Sequence, residues 1–309
     1  MPTTHNQKYS ICTIVSKWDE YARLVSSLKS HGFNESNSEL LTVDNSCKNV
    51  FDAYEAIRFF IQISNYDLIV LVHQDVLFEK KGYNELCNTI NCITEIDSNW
   101  AILSNAGKSS DPLKCHIAVA DGKREWHTKE FPSVVDSVDE HFIVLRKSTG
   151  VTVSRDLGGF HFYGTELCQV ANRLGYKCYA IDFLIIHPSH GNIDEEFFNS
   201  KLKIELKYKK LRKNKRIPTM CTNISVDPTY FNKTISDLYS YAVVVNSPYH
   251  FNARNILKNN SRHTTIIARL IIKSGLLELK YALKIFFRRI KGDVMWWAAN
   301  WKSRIHSKK

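Results

Sequence analysis

Apolar positions along this chain fall into two periods, and the alternation between them predicts most of its elements. Tyr9 to Val15 is a nearly continuous apolar run of strand length, which suits a strand covered on both faces. Tyr21, Leu24, Val25 and Leu28 then recur at helical spacing, predicting a helix from Trp18 to His31 that Gly32 stops. Leu40 to Val43 reads as a second strand. A helix is expected from about Asn49, with Phe51, Tyr54, Ile57, Phe60 and Ile61 on one face. The stretch Asp67–Phe78 follows: five apolar residues without interruption, then His73-Gln74-Asp75. Tyr83 to Ile96 predicts another helix and Trp100 to Leu103 another strand, leading to Asn105-Ala106-Gly107.

Beyond Gly107 the rhythm loosens. His116–Val119 and Phe142–Leu145 read as strands, the latter preceded by Asp139-Glu140. Gly158 to Gly164 is an aromatic, glycine-rich loop, and Thr165 is placed to cap a helix running from Glu166 to its stop at Gly175. Tyr179–Ile186 predicts one further strand, delivering His187. Asp194-Glu195-Glu196 opens a helix whose far end is the basic run Lys207 to Arg216, charges that oppose the helix dipole, and Pro218 ends it. Residues 219–263 are polar and weakly patterned.

Strand and helix alternate over short connections, so the expected class is α/β with a mostly parallel sheet flanked by helices. A chain of 309 residues has room for one large domain of that kind with additions. The net charge of +11 changes the picture because it is uneven: residues 251–309 hold 14 Lys and Arg against 2 Asp and Glu, and the rest holds 28 against 29. A fold that bound nucleic acid across its body would spread that charge over it, so no nucleic-acid partner is expected. Eight cysteines are scattered without a Cys-x-x-Cys pair and the first residues carry no signal-peptide pattern, which predicts free thiols and a cytoplasmic location.

Ligands of open α/β sheets sit beyond the carboxyl ends of the strands. Asp75, just past the central apolar run, is therefore placed to hold a metal ion or a phosphate-bearing ligand; the competing reading is an ordinary polar turn. Asp44, after the second strand, lies in Asp44-Asn45-Ser46, which also suits an Asx turn.

In order and spacing, these pieces resemble a GT-A type glycosyltransferase, close to the family 2-like bacterial sugar transferases, over roughly residues 9–218. The residues that carry the resemblance are Asp44, the strand ending His73-Gln74-Asp75, Asp139-Glu140 before a strand, and Gly159–Tyr163 leading into Glu166-Leu167-Cys168. Gly175-Tyr176, the strand ending His187-x-Ser189-x-Gly191 and the run Lys207-Tyr208-Lys209 before Pro218 complete the set. It implies a GT-A (Rossmann-like) fold and transfer of a sugar from a nucleotide-sugar donor to a hydroxyl of a glycan or lipid-linked acceptor, with inversion. It implies a divalent cation, Mn²⁺ or Mg²⁺, held by Asp75 and His187, with Asp44, Asn45, His73 and Asp75 toward the donor. Only the last acid of the family's Asp-x-Asp motif is present here. Many relatives carry an acid two residues before Glu166, where this chain has Gly164, so the base is expected at Glu166, with Asp139 as its substitute. The incomplete acidic motif keeps a second reading open: a degenerate fold that binds nucleotide or glycan without turnover.

The basic tail predicts an amphipathic helix from Thr264 to Ile290. Arg269, Lys273, Lys280, Lys284, Arg288 and Lys291 share one stripe, Ile267, Ile271, Leu276, Leu279, Leu283, Phe286 and Ile290 lie opposite, and Trp296, Trp297 and Trp301 follow. The expected organisation is a catalytic domain over 1–218, a polar connection over 219–263, and a tail over 264–309 that lies on an anionic membrane surface at its inner, cytoplasmic face. The competing reading is a helix packed on the body.

Overall fold

The computed structural model describes residues 7–110, 113–189, 195–209 and 216–225. The expected tail and the polar connection before it lie outside the described residues, apart from residues 219–225. Contacts divide the chain into two compact units, the first comprising residues 1–210 and 217–220.

The first unit is the mixed α/β architecture that the alternation implies. Strands β1 (Tyr9–Val15), β2 (Ser38–Asp44) and β3 (Leu68–Val72) alternate with helices α1 (Trp18–Ser30) and α2 (Ala53–Ile63). Helix α3 (Tyr83–Ile96) leads to β4 (Trp100–Ser104), and then to β5 (Ala106–Ser110), β6 (Leu113–Ala120), β7 (Glu125–His127), β8 (Ser133–Val134) and β9 (Ser137–Val138). Strand β10 (Phe142–Arg146), helix α4 (Tyr163–Arg173), β11 (Lys177–Ala180), β12 (Ile185–Ile186) and helix α5 (Glu195–Lys209) complete the unit's main elements. Two short strands follow, β13 (Arg216–Pro218) and β14 (Asn223–Ser225).

Seven strands form the central sheet in the order β2-β1-β3-β10-β4-β11-β8. β1 runs parallel to β2 and β3, and β4 parallel to β11, while β10 lies antiparallel to both β3 and β4. Five strands therefore share one direction. The reversed β10 pairs its first residue, Phe142, with the last of β3, Val72. That inversion brings the residues just before β10 to the edge where β3 ends. A smaller second sheet runs β12-β6-β5-β9.

Several boundaries depart from the sequence expectation for identifiable reasons. Helix α2 begins at Ala53 rather than near Asn49, because Asp52 and Glu55 make a reciprocal capping box. Thr165 is not a cap but an interior residue of α4, which starts three residues before Glu166. Phe162 precedes it in the left-handed region at φ 66°, a conformation that costs a non-glycine residue about 1–3 kcal/mol. Its ring packs 4.8 Å from that of Phe197 on α5. The single strand expected over Tyr179–Ile186 is two: β11 ends at Ala180, and β12 joins β6 in the second sheet. Pro218 lies in β13, beyond the end of α5.

The core cluster seats the segment that carries Asp75. Val76 and Phe78, on either side of Leu77, are wholly buried, and Phe78 meets Phe33, Phe142 and Phe183 edge-on at 5.6–6.1 Å. Burying one such ring contributes about 1.5–3 kcal/mol, enough to hold a polar turn in place between two anchors.

Candidate active site

Three chain segments converge at the edge where β3 ends. Directly past β3 come His73 and Asp75. From the reversed β10 come Asp139, Glu140 and His141, and the His73 amide donates to the His141 carbonyl at 3.0 Å. From β12 comes His187, whose position is fixed by a two-way exchange one residue earlier: Leu77 and Ile186 donate to each other's carbonyls at 2.8 and 2.9 Å. Because Leu77 and Ile186 are both backbone-paired, Asp75 and His187 keep a set separation.

Donor atoms of His73, Asp75 and His187 all lie within 4.8 Å of one another. His187 Nε2 is 3.5 Å from Asp75 Oδ1 and 3.1 Å from the Ser189 hydroxyl. The His141 ring stacks on His187 at 4.8 Å and 11°, and Asp139 stands 3.5 Å from His141 Nδ1. Burial works to raise the Asp75 carboxyl, but the His187 and Ser189 side chains outweigh it and hold the group well below the usual carboxylate range. Burial, helped by His187 and His141, pushes His73 down to about 4, so its imidazole is neutral near pH 7. A neutral imidazole and an ionised carboxylate are the forms in which these side chains bind cations. Two imidazoles and one carboxylate within that span fit a divalent ion, and the nitrogen share favours Mn²⁺ over Mg²⁺.

Next to the cluster opens a pocket of about 450 Å³. Its mouth is polar, with Lys17, Asn45, Gln74 and Ser189. Its inner wall is apolar, with Ile14, Ile57 and Phe60 between β1 and α2. Gln74 shapes the mouth: the Ser16 and Lys17 amides donate to its Oε1 at 2.7 and 2.9 Å, and its Nε2 donates to Ser16 Oγ and Glu20 at 3.0 and 2.9 Å. This side chain ties the end of β3 to the turn between β1 and α1.

The residues expected toward the donor divide. His73, Asp75 and Asn45 line the pocket. Asn45 is also committed to its own loop, accepting from the Val50 amide and donating to the Phe51 carbonyl, each at 2.8 Å. Asp44 is exposed and makes the Asx turn, accepting from the Ser46 amide at 2.9 Å.

Glu166 is not placed as expected of a general base. It is 0% exposed, and its carboxylate accepts from the Ser154 and Tyr208 hydroxyls while Lys207 Nζ lies 3.0 Å away. The helix face that carries it turns into the protein, toward α5. Among the two residues considered, Asp139 alone stands with the histidine cluster. Its carboxyl, 36% exposed, is held low against the effect of burial by His141, the Glu140 amide and His187.

Glu140 joins the site beside Asp139, the neighbour with which the sequence paired it, while His141 and Tyr163 enter without having been singled out for it. Glu140 Oε1 accepts from the Gly164 amide at 3.2 Å. A Cβ at Gly164 would meet the Val138 carbonyl at 2.8 Å and Glu140 Cγ at 3.2 Å, so no side chain fits there while Glu140 holds its place. The adjacency of Asp139, Glu140 and His141 before an apolar strand was the available signal.

No family model matches the sequence. Among solved structures, the mannosyltransferase PcManGT of Pyrobaculum calidifontis, in complex with GDP-Man and Mn²⁺, is 10% identical, with 91% of this chain and 84% of that one covered and a TM-score of 0.44. S. aureus TarS 1–349, in complex with UDP-GlcNAc, is 11% identical, with 91% and 80% covered and a TM-score of 0.42. Among curated proteins, the ATP synthase subunits region ORF 6 protein of Fuscovulum blasticum is 30% identical over 209 residues, which span 65% of this chain and 84% of that protein. Identity of that extent over most of the relative's length places this chain in the same family as the F. blasticum protein.

Proposed function

We propose that this chain is a GT-A type glycosyltransferase that moves a sugar from a nucleotide-sugar donor to an acceptor hydroxyl with the help of a divalent cation. One observation carries the reading: His73, Asp75 and His187 bring their donor atoms within 4.8 Å of one another at the carboxyl edge of the sheet, beside a pocket with a polar mouth and an apolar wall. Glycosyl transfer has two needs, stabilisation of a departing diphosphate and removal of a proton from the attacking hydroxyl. A bound cation supplies the first, with His73, Asp75 and His187 as its protein ligands. Lys17, at the mouth, adds a cationic group for the phosphates. The apolar wall takes the nucleoside, and Asn45 fixes the loop that borders it.

Asp139, 3.5 Å from His141 in the histidine cluster, is the proton acceptor in this reading. Attack opposite the departing diphosphate gives inversion at the anomeric carbon. The acceptor is a glycan or lipid-linked hydroxyl, and the basic tail holds the enzyme against an anionic membrane surface where such acceptors lie.

Thermal stabilisation by a panel of nucleotide-sugars, with and without Mn²⁺, is the direct test, since a ligand stabilises according to its occupancy. One donor is expected to stabilise the chain only with the cation present, and Asp75→Asn is expected to abolish that dependence. A parent chain indifferent to every donor, with Mn²⁺ and with Mg²⁺, would sink the reading. Asp139→Asn is expected to lower kcat by about 10²–10⁴-fold with donor stabilisation retained.

A further inference from the structure

The hydrogen bonds around Tyr163 determine which nitrogen of His73 can bind a metal. Tyr163 is 7% exposed and lies at the first position of α4. Its hydroxyl donates to the Glu140 carbonyl at 3.0 Å, and His73 Nε2 lies 3.0 Å from the Tyr163 hydroxyl oxygen. A phenol has a single proton to give. With that proton on the Glu140 carbonyl, the contact to His73 is a hydrogen bond only if Nε2 carries hydrogen and the phenol oxygen accepts it. The reverse assignment, with the phenol donating to His73, leaves the Glu140 carbonyl without this donor. Among the described residues no hydrogen bond reaches His73 Nδ1.

We propose that Tyr163 is a positioning residue that locks His73 as its Nε2–H tautomer and so reserves Nδ1 as the lone pair offered to the cation. The inference rests on the metal reading of the site and deepens it. A further feature supports the assignment. The Tyr163 ring is itself held, packed edge-on against Tyr54 at 6.4 Å, while the Tyr54 hydroxyl donates to the His161 carbonyl at 3.0 Å. Tyr163 therefore links the start of α4, the Asp139–His141 segment and the end of β3 through one oxygen. A ligand histidine whose other nitrogen is so engaged has its ring orientation and basicity fixed by the partner.

The test uses the full chain. Long-range ¹H–¹⁵N spectra of the metal-free protein near neutral pH read the tautomer directly, with the His73 signal identified by its loss in His73→Ala. The parent should show Nε2–H. Calorimetry with Mn²⁺ then compares the parent with Tyr163→Phe, which should bind about 10–100-fold more weakly and show both His73 tautomers. An Nδ1–H signal in the parent overturns the proposal, and that measurement does not require the variant to fold. Equal Mn²⁺ affinity in parent and Tyr163→Phe overturns it too. A parent that binds no Mn²⁺ while showing Nε2–H instead removes the metal reading, and the ligand assignment falls with it.

Discussion

Gly164 and Glu140 occupy one space between them. A side chain at Gly164 would press on the Val138 carbonyl and on Glu140 Cγ. Gly164→Ala is therefore expected to cost about 1–3 kcal/mol of stability, read as a lower midpoint in urea with an unchanged slope. Glu140 itself is raised to about 8 from its ordinary 4.5, chiefly by burial and then by Asp139. Between those two values the folded chain binds the extra proton, so this group's contribution to stability is full below about pH 4.5 and is lost as pH rises toward 8. Glu140→Gln should flatten that part of the pH profile in urea titrations; equal slopes in parent and variant would refute the assignment. At this scale the sequence was only partly readable. Asp75 announces itself because polarity breaks in abruptly after five apolar residues. His141 and Tyr163 do not, because a histidine before a strand and a tyrosine in an aromatic loop look alike whether or not they meet a third residue far away in the chain.

At the scale of elements, helix α4 shows what periodicity conveys and what it withholds. The spacing of Leu167, Val170, Ala171 and Leu174 correctly implies a helix there, yet it cannot tell that polar Glu166 and Gln169 are also at 0% exposure. Glu166 is answered from α5 by Tyr208 and Lys207, with Asp156 2.6 Å from the same lysine, and Gln169 donates to the Asp136 carbonyl at 2.7 Å. Glu166→Gln keeps the acceptor for the hydroxyls but removes the charge opposite Lys207. The expected result is a loss of about 1–3 kcal/mol with turnover per folded molecule within a few-fold of the parent. A drop of 10²–10⁴-fold in kcat at unchanged stability would return the base to Glu166. The strands β3, β4 and β10 were legible because both of their faces are covered and their apolar runs are nearly unbroken, and β1 because only Ser10 and Thr13 interrupt its run. The second sheet was harder to read, since β5 and β9 are short and rich in Ser, Gly and Lys, and are held by pairing more than by pattern.

Over the whole molecule the charge is divided, with the excess confined to residues 251–309. Among the described residues no helix is long and apolar enough to cross a membrane. A chain ending at residue 263 should lose sedimentation with vesicles containing anionic lipid, whereas the full chain should bind them in a salt-sensitive way at ~1 kcal/mol per basic residue near the surface. Equal binding by both would leave the tail no such role. The zipper between Leu77 and Ile186 acts on the same whole-chain scale, and its consequence is one of time. His73 and Asp75 are synthesised long before His187, and the loop between them must close before the three can share an ion. Strand pairing across such separations forms late, after local helices. During refolding, tight Mn²⁺ capture should therefore appear with the final kinetic phase, well after helical circular dichroism has recovered. In that reading the proposed metal site serves as a clock for the last closure of the fold, and capture in the first phase would show that β12 docks earlier than its place in the chain implies.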